Sequence, residues 1–507
     1  MSFAERCVRL PFARAEDTAS GSASEGERLL DTAKEAVEAA RRAGAGYADA
    51  RLVKEESESL TVRNREMEGI DRSTSDGVGI RVLVDGYWGF AATARTTLED
   101  ITETAQLAVE VARAASRLPR DPIRLADVEP ATAQWSSSLE RDPFEVPLPE
   151  KVELLMEASG RMQAVKGVDF AEASLDLYRR RTAFASSEGA AIEQTITNSG
   201  GGIEATAMAD GEMQRRSFPN SFRGHLTAAG WEHVAALGLV ENAERTGREA
   251  VELLTAEECP SEVTTVVLDS GQVELQVHES VGHPVELDRV LGMEESYAGS
   301  SFVKPSDRGK LRYASDLVSI TADASTPGGL GTFGYDDEGV PAQRVPIVVD
   351  GIFQNFLSSR ETAPVIGERS SGAMRADGWA NLPLIRMTNI NLEPREGTLD
   401  DIVADTKDGY LFSTNQSWSI DDHRVNFQFG CEVAWRIRNG ELKEMYRNPN
   451  YTGITTEFWG SCDAIGGPEA WTLWGTPNCG KGQPGQVARV GHGVAPARFN
   501  RVQIGVR

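Results

Sequence analysis

The sequence has no apolar run long enough to cross a membrane and no surplus of basic residues. A membrane-spanning helix needs about 20 consecutive apolar residues, and no stretch of the 507 residues approaches that length. The opening segment MSFAERCVRLPFARAED carries charges throughout and does not resemble a secretory signal, so we expect a cytoplasmic protein without membrane association. Lysine and arginine number 52 against 77 aspartate and glutamate residues, a net charge of −25. This balance argues against nucleic-acid binding, which requires a basic surface.

Cysteine and histidine are also scarce, with five and six residues respectively. The odd number of cysteines and the lack of a C-x-x-C pair argue against a disulfide framework and against dithiol redox chemistry. A G-x-S-x-G motif is missing as well, so a serine nucleophile of the α/β-hydrolase type is not expected. Four histidines stand alone, and an isolated histidine is more often structural than a metal ligand. They are His225, His233, His423 and His492.

A change of pattern near residue 258 divides the chain, which is too long for one ordinary hydrophobic core. Residues 1–24 run into a Ser/Gly/Ala-rich stretch and predict a loosely ordered arm. Residues 25–258 predict an α+β domain with helix–three-strand–helix units. Residues 259–507 predict a β-rich domain that carries a helix at 271–283. The predicted fold class is therefore α+β, with an N-terminal α/β region and a C-terminal β-rich domain carrying the candidate metal helix.

Strand boundaries are predicted from the polar and Gly/Ser/Asp residues between apolar segments. The predicted strands of the N-terminal region are 47–56, 58–64, 77–86, 168–177, 181–187 and 191–198. In the C-terminal region, Asp350-Gly351 and Asn439-Gly440 are typical of tight turns between two antiparallel strands. We therefore expect a β-hairpin at each of these dipeptides.

The segment QVHESVGHPVE contains His278, Glu279 and His283, an HExxxH motif. In a common zinc signature the two histidines are four residues apart and the glutamate is a general base. A spacing of five leaves the side chains roughly 140° apart on a regular α-helix, too far to share one ion. Gly282 weakens the helix, and Pro284 disfavours helical dihedrals at the preceding residue. The sequence therefore predicts a widened or broken turn, such as a π-bulge, at 278–283.

A catalytic zinc needs a third protein ligand and keeps its fourth position open. Spacing alone leaves several candidates for this ligand, both near the motif and far from it. They are Glu286, Asp288, Glu294, Glu295, Cys462 and Cys479. The GTPNCGKG segment at 475–482 also approaches a phosphate-binding loop. Gly482 replaces the required hydroxyl residue and QPGQ follows where a helix should begin, so nucleotide binding is disfavoured.

Three segments, HESVGH, WSIDDHRVNFQFGCE and NCGKGQPGQV, together resemble the TldD/PmbA family of metallopeptidases, in its TldD-like branch. The resemblance covers about residues 27–507. It implies one zinc ion per chain, held by His278, His283 and Cys479, with Glu279 as general base and general acid. It also implies hydrolysis of peptide bonds in unfolded peptides or small proteins, including removal of leader peptides.

The same resemblance implies a dimer, formed either with a second copy or with a PmbA-like (TldE) subunit that lacks the zinc motif. The dimer would enclose a cavity that admits unfolded peptides and excludes folded proteins. The alternative is a non-enzymatic scaffold or partner subunit with a structural zinc. A structural zinc is usually closed by four protein ligands, so the number of ligands distinguishes the two hypotheses.

Overall fold

The computed structural model describes residues 25–119, 121–221 and 223–506, and the arm predicted at 1–24 lies outside them. Helices and strands are both abundant in these residues, which confirms a mixed α and β fold. Among the described helices, none is long and apolar enough to span a membrane. The α-helices are α1 (Glu25–Ala43), α2 (Leu98–Ala115), α3 (Leu148–Gln163), α4 (Trp231–Ala236), α5 (Leu239–Leu253), α6 (Ser270–Val277), α7 (Leu287–Val290), α8 (Glu295–Ala298), α9 (Leu399–Asp405) and α10 (Thr455–Gly460).

The N-terminal half forms one eight-stranded sheet covered by helices. The strand order is β3-β2-β1-β5-β6-β4, and β7 and β8 also pair with β6. Helices α1 and α2 pack on the β1–β3 end, while α3 and α5 pack on the β5–β6 end, which gives two apolar clusters. The strands are β1 (Tyr47–Arg63), β2 (Glu66–Val84), β3 (Tyr87–Thr93), β4 (Thr132–Ser136), β5 (Val168–Ser186), β6 (Ala191–Ala209), β7 (Glu212–Phe218) and β8 (His225–Thr227).

Several predicted strand boundaries in this half were wrong, although the predicted starts at Tyr47, Val168 and Ala191 were correct. The predicted strands 47–56 and 58–64 are both parts of β1, and residues 66–76, left without a predicted strand, belong to β2. These polar residues are mostly exposed, but all except Glu68, which lies at a β-bulge, pair with β1 in an antiparallel ladder. The ladder satisfies their backbone groups, so the strand continues without apolar alternation. For the same reason, the predicted strands 168–177 and 181–187 are parts of a single strand, β5.

The C-terminal half contains a second eight-stranded sheet and three smaller ones. In the large sheet, β17-β10-β24-β20-β18 are consecutive neighbours and β18 pairs again with β17, so the hydrogen-bonded path closes on itself. The smaller sheets are β13-β12-β11-β16, β14-β15 and the hairpin β22-β23. The strands are β9 (Glu257–Glu258), β10 (Glu262–Leu268), β11 (Ile320–Asp323), β12 (Arg344–Val349), β13 (Ile352–Phe353), β14 (Met374–Arg375), β15 (Leu384–Ile385), β16 (Ile390–Leu392), β17 (Asp408–Ile420), β18 (Asn426–Arg438), β19 (Glu441–Arg447), β20 (Asn450–Ile454), β21 (Cys462–Ile465), β22 (Thr472–Lys481), β23 (Gln486–Val494) and β24 (Ala497–Ile504).

Both predicted hairpin turns are confirmed. Asp350-Gly351 joins β12 to β13, and Asn439-Gly440 joins β18 to β19. All four turn residues have positive φ, from 47° at Asp350 to 79° at Gly440. Aspartate, asparagine and glycine adopt this left-handed region more readily than other residues, which is why these dipeptides could be recognised in the sequence.

Helix α6 lies inside the apolar core of the C-terminal half. Val273 and Val277 on the helix, and Val281 and Val285 beyond it, are fully buried in this core. Their four-residue spacing places them along one face of a helical segment. Burying each valine contributes about 1.5 kcal/mol or more. The core thereby fixes the segment that carries the HExxxH motif.

Candidate metal centre

A wide turn follows directly after α6. Asp269 is the N-cap of the helix, and its side chain accepts a hydrogen bond from the N–H of Gln272 at 2.8 Å. Residues His278–Gly282 form a π-helical turn, and the N–H of His283 donates to the carbonyl of His278. This hydrogen bond joins residues five positions apart, instead of four as in an α-helix, and confirms the predicted widening of the turn. It brings the two imidazole rings to a centroid distance of 4.9 Å.

Gly282 allows close packing in this turn. A Cβ atom at this position would lie 2.0 Å from Sδ of Met387, a fully buried side chain. The next residues, His283–Val285, form a single 3₁₀ turn that contains Pro284. Proline has no N–H to donate, so it is compatible with this change of helical pattern.

The third candidate ligand comes from the β22–β23 hairpin. Cys479 lies just after a register irregularity in β22, and its Sγ is 3.6 Å from Nε2 of His283. One ligand atom each from His278, His283 and Cys479 lies within 4.8 Å of the others, and all three residues are buried. Tetrahedral zinc with ordinary bond lengths separates a nitrogen ligand from a sulfur ligand by about 3.6 Å. The donor set and its spacing therefore fit a zinc ion.

The other candidates for the third ligand are engaged elsewhere. Glu286 contacts the opposite nitrogen of His283, and Asp288 accepts a hydrogen bond from Lys481. Glu294 is paired with Arg289 at 2.8 Å. Glu295 is exposed, and Cys462 donates to the carbonyl of Ala464 in β21. Among the residues that the structure describes, Cys479 alone of these candidates joins the two histidines in a cluster suited to a metal ion.

Each of the two histidines contacts a buried polar side chain through its Nδ1 atom. Nδ1 of His278 is 2.8 Å from Nε2 of His492, and Nδ1 of His283 is 3.0 Å from Oε2 of Glu286. Burial, followed by the nearby His278, holds the pKa of His492 well below its ordinary value, so His492 is neutral and can accept a hydrogen bond. In both pairs Nε2 remains available to an ion. Such outer partners fix the tautomer and ring orientation of metal-binding histidines.

Lys481 neutralises the acids beneath His283. Its Nζ lies 3.2 Å from Oε2 of Glu286 and 2.7 Å from Oδ1 of Asp288, and it is fully buried. Burial raises the pKa of Glu286, but Lys481 and His283 outweigh this effect and hold that pKa well below its ordinary value. Glu286 is therefore a carboxylate and an acceptor for His283. Residues 475–481 lie in β22, which is followed by β23, so this segment does not have the loop and following helix of a phosphate-binding loop.

Electrostatic surroundings favour the thiolate form of Cys479. Burial raises the pKa of its thiol, but the two histidines and Arg386 reverse this effect and hold the pKa well below its ordinary value. Arg386 also donates from Nη2 to the carbonyl of Cys479, which fixes the backbone at this point. The thiolate is the form of cysteine that binds metals.

Glu279 faces a cavity of about 440 Å³ beside the metal cluster. The guanidinium of Arg424 is paired with Oε2 of Glu279. Burial raises the pKa of Glu279, but the two histidines and Arg424 hold it below its ordinary value. The carboxylate is thus ionised next to the candidate metal position. The remaining lining includes polar side chains from the β7–β8 loop, β17 and β22, namely Asn220, Ser221, Asn415, Ser419, Thr476 and Asn478.

Asp422 and His423 have structural contacts in the loop before Arg424. Nδ1 of His423 is 2.9 Å from Oγ of Ser300, and the carbonyl of Asp422 accepts a hydrogen bond from Arg289. His423 was expected to be structural, whereas no sequence pattern indicated a role for Arg424. The role of His492 was not predicted either, because no local pattern connects residues 214 positions apart.

Models of one protein family match most of the chain. The PmbA/TldA metallopeptidase domain 1 matches residues 48–112, the central domain matches 141–256, and the C-terminal domain matches 261–505. The candidate ligands all fall in the third of these matches.

Individual relatives agree with this result. A metalloprotease of Methanocaldococcus jannaschii is 28% identical over 420 residues, covering 83% of this chain and 89% of that protein. A metalloprotease TldD homologue of Haemophilus influenzae is 28% identical over 265 residues, 52% of each chain. The crystal structure of TldE from Thermococcus kodakarensis is similar in fold, with a TM-score of 0.71 at 15% identity, covering 94% of this chain and 100% of that one.

Proposed function

This chain belongs to the PmbA/TldD family of metallopeptidases, and from that premise we propose that it is a zinc-dependent peptidase of the TldD-like branch. His278, His283 and Cys479 would hold one zinc ion per chain. Glu279 would be the catalytic general base and acid. The substrates would be peptide bonds in unfolded peptides or small proteins, with leader-peptide removal as one form of the activity.

The observation that carries this proposal is the position of Glu279. Its carboxylate lines the 440 Å³ cavity beside the three buried side chains that could hold a metal ion. The described residues provide three such ligands, whereas a structural zinc is usually closed by four. An open position favours a catalytic site over the alternative of a scaffold or partner subunit with structural zinc.

The chemistry follows from these positions. A zinc ion in this cluster would supply Lewis acidity toward water and the scissile carbonyl. Glu279 takes a proton from the attacking water and later passes it to the leaving nitrogen, so that the C–N bond breaks as the amine forms. The outer partners His492 and Glu286 keep the two imidazoles oriented throughout. The cavity volume of about 440 Å³ is too small for a folded domain, which favours an extended peptide.

We extend the proposal to the assembly and the location of the protein. Family membership supports a dimer, either with a second copy or with a PmbA/TldE-like subunit, in the cytoplasm and without nucleic acid or membrane. The metal-binding residues belong to the proposed C-terminal domain, 259–507, and the proposed N-terminal domain, 25–258, covers the cavity through Asn220, Ser221 and Gly224.

Replacing the proposed base tests the function. Glu279→Gln should lower cleavage of an unstructured peptide by about 10²-fold or more, since general acid–base catalysis contributes 10²–10⁴-fold. Zinc content, measured by elemental analysis, should stay near the wild-type value. Cys479→Ser should lower the zinc content, and a chelator should stop turnover of the wild type.

Glu295→Gln is a matched control, because Glu295 is an exposed acid near the motif but outside the cavity. It should retain wild-type turnover and zinc content. Full activity of the Glu279→Gln variant would eliminate Glu279 as the base. Zinc content unchanged by Cys479→Ser would return the third ligand to another residue.

A further inference from the structure

Arg424 is the one arginine or lysine among the described residues that line the active-site cavity. Its guanidinium is paired with the carboxylate of Glu279, and the two side chains are only 12% and 8% exposed. Its Nε is buried and has no hydrogen-bond partner. The cavity therefore holds one cation with unused hydrogen-bonding capacity, directly beside the proposed base.

The loop that carries Arg424 is firmly fixed. Arg424 has a left-handed backbone, with φ of 65°, and its N–H donates to the carbonyl of Asp421 at 2.9 Å. The carboxylate of Asp421 accepts the N–H groups of Val425 and Asn426, each at 2.9 Å. The hydroxyl of Thr455 donates to the carbonyl of Arg424 at 2.7 Å. Movement of the guanidinium therefore has to come from side-chain rotation and not from the backbone.

The ion pair conflicts with the proposed role of Glu279. The guanidinium occupies Oε2 of Glu279, one of the two oxygens that the attacking water would need to reach. Arg289 is the other arginine near Glu279, but it is bonded to Glu294 and to the carbonyl of Ser300, so it is not available as a substitute partner. Arg424 should leave Glu279 when the catalytic complex forms.

A second carboxylate is the group best suited to draw Arg424 away. A guanidinium separated from its partner in a mostly buried site is strongly destabilised, unless another anion takes the partner's place. Arginine binds carboxylates through two parallel N–H donors. Nε is buried and has no partner in the observed side-chain position, and rotation of the side chain would make it available as one of these donors. The net charge of −25 repels anionic peptides at long range, but ions screen this effect beyond about 8 Å.

We propose that Arg424 selects peptides that carry a carboxylate near the scissile bond, and that this carboxylate replaces Glu279 on the guanidinium. The carboxylate is a peptide C-terminus or an aspartate or glutamate side chain. Binding of the correct substrate thereby frees the base. This inference rests on the function proposed above and names its substrate class.

Matched peptides test the selection. One unstructured peptide with an internal glutamate and a free C-terminus is compared with its C-terminal amide, its Glu-to-Gln analogue and the analogue with both changes. The zinc-loaded full chain should have a kcat/KM at least about tenfold lower for the doubly neutral peptide, as expected for loss of a charge-assisted hydrogen bond. The single change that causes the loss identifies the source of the carboxylate.

Variants assign this preference to Arg424. Arg424→Met should reduce the charged-to-neutral ratio of kcat/KM to within about twofold, while Arg424→Lys should keep part of it, because lysine retains the charge without the planar fork. Arg436→Met is the matched control: Arg436 is 13% exposed and paired with Glu262 and Asp408, but lies outside the cavity. It should keep the wild-type ratio.

A binding measurement checks the exchange without turnover. In Glu279→Gln the guanidinium has lost its partner, so this variant should bind the charged peptide with a Kd at least about tenfold below that of the neutral one. The difference should vanish in Glu279→Gln/Arg424→Met. Cleavage without charge preference, or a preference unchanged in Arg424→Met, would overturn the inference alone. Cleavage of no peptide by the zinc-loaded wild type would overturn the proposed function and this inference with it.

Discussion

At the scale of single residues, the arrangement around His278 depends on one buried hydrogen bond. Its Nδ1 meets Nε2 of His492 at 2.8 Å, and both rings are buried. His492→Leu removes the acceptor and should lower zinc affinity by about 10–100-fold, the usual effect of losing an outer partner. The affinity is measured by competition with a chromogenic chelator.

His492→Gln distinguishes orientation from packing. A glutamine oxygen can still accept the hydrogen bond of His278, so this variant should lose less zinc affinity than His492→Leu. Equal losses in both variants would show that His492 fills space and does not orient the ring.

The residues of the site differ in how easily they can be predicted from the sequence. His278, Glu279 and His283 could be identified as candidates, because two histidines and a glutamate on one short helical segment resemble a zinc signature. Glu286 entered as a candidate ligand, yet its carboxylate lies on the far side of His283 and is neutralised by Lys481. Its role depends on a lysine 195 positions away, and residue types alone do not specify such a contact.

At the scale of elements, the π-helical turn joins the two histidines into one site, and Gly282 permits it. Gly282→Ala would place a methyl group against Sδ of Met387, and such overpacking of a core typically costs about 1–3 kcal/mol. The turn would shift, the imidazoles would separate, and the zinc content of the purified protein should fall.

Met387→Ala provides the matched test, because it removes the atoms that the new methyl group would meet. Gly282→Ala/Met387→Ala should regain the zinc content of Met387→Ala alone, even though the latter is less stable than the wild type. If the double variant binds as little zinc as Gly282→Ala, steric contact with Met387 is not what demands glycine.

Elements with local chemical signals were predicted more accurately than elements defined by pairing. Asp350-Gly351 and Asn439-Gly440 predicted their turns correctly. The widened turn of the HExxxH segment was also predicted, but His283 keeps helical dihedrals (φ −64°, ψ −41°), so the expected effect of Pro284 on this residue was wrong. The polar residues 66–76 gave no such signal, because their strand is held by a long ladder with β1. Pairing over long distances is a property of the sheet and is not readable from a single strand.

At the scale of the whole molecule, buried ion pairs join the two halves of the chain. Arg81 in β2 pairs with Asp49 in β1 at 2.7 Å and with Glu338 of the C-terminal half at 3.0 Å, and all three side chains are at most 5% exposed. Arg216 in β7 is linked in the same way to Glu432 in β18 at 2.9 Å. If the halves separated, Arg81 and Arg216 would each lose a carboxylate partner on the other half. We therefore expect the two halves to unfold together.

Arg81→Met should therefore lower the free energy of unfolding by about 3–5 kcal/mol near neutral pH, because two buried carboxylates lose their cation. Burial already raises the pKa of Glu338, and Arg81 opposes that rise. Without Arg81 the folded state binds a proton more tightly than the unfolded chain does. Its stability is then greatest below the unfolded-state pKa of about 4.3 and declines as the pH rises through the raised folded-state value.

The destabilisation by Arg81→Met should consequently be larger at about pH 8 than at about pH 5.5, as measured by urea unfolding at both values. Arg248→Met, which removes an arginine that is 56% exposed and paired within α5, should change the free energy of unfolding by no more than about 0.5 kcal/mol at either pH. If Arg81→Met lost the same stability at both pH values, protonation of the buried acids would not be compensating for the missing guanidinium. The link between the halves would then depend on packing rather than on charge.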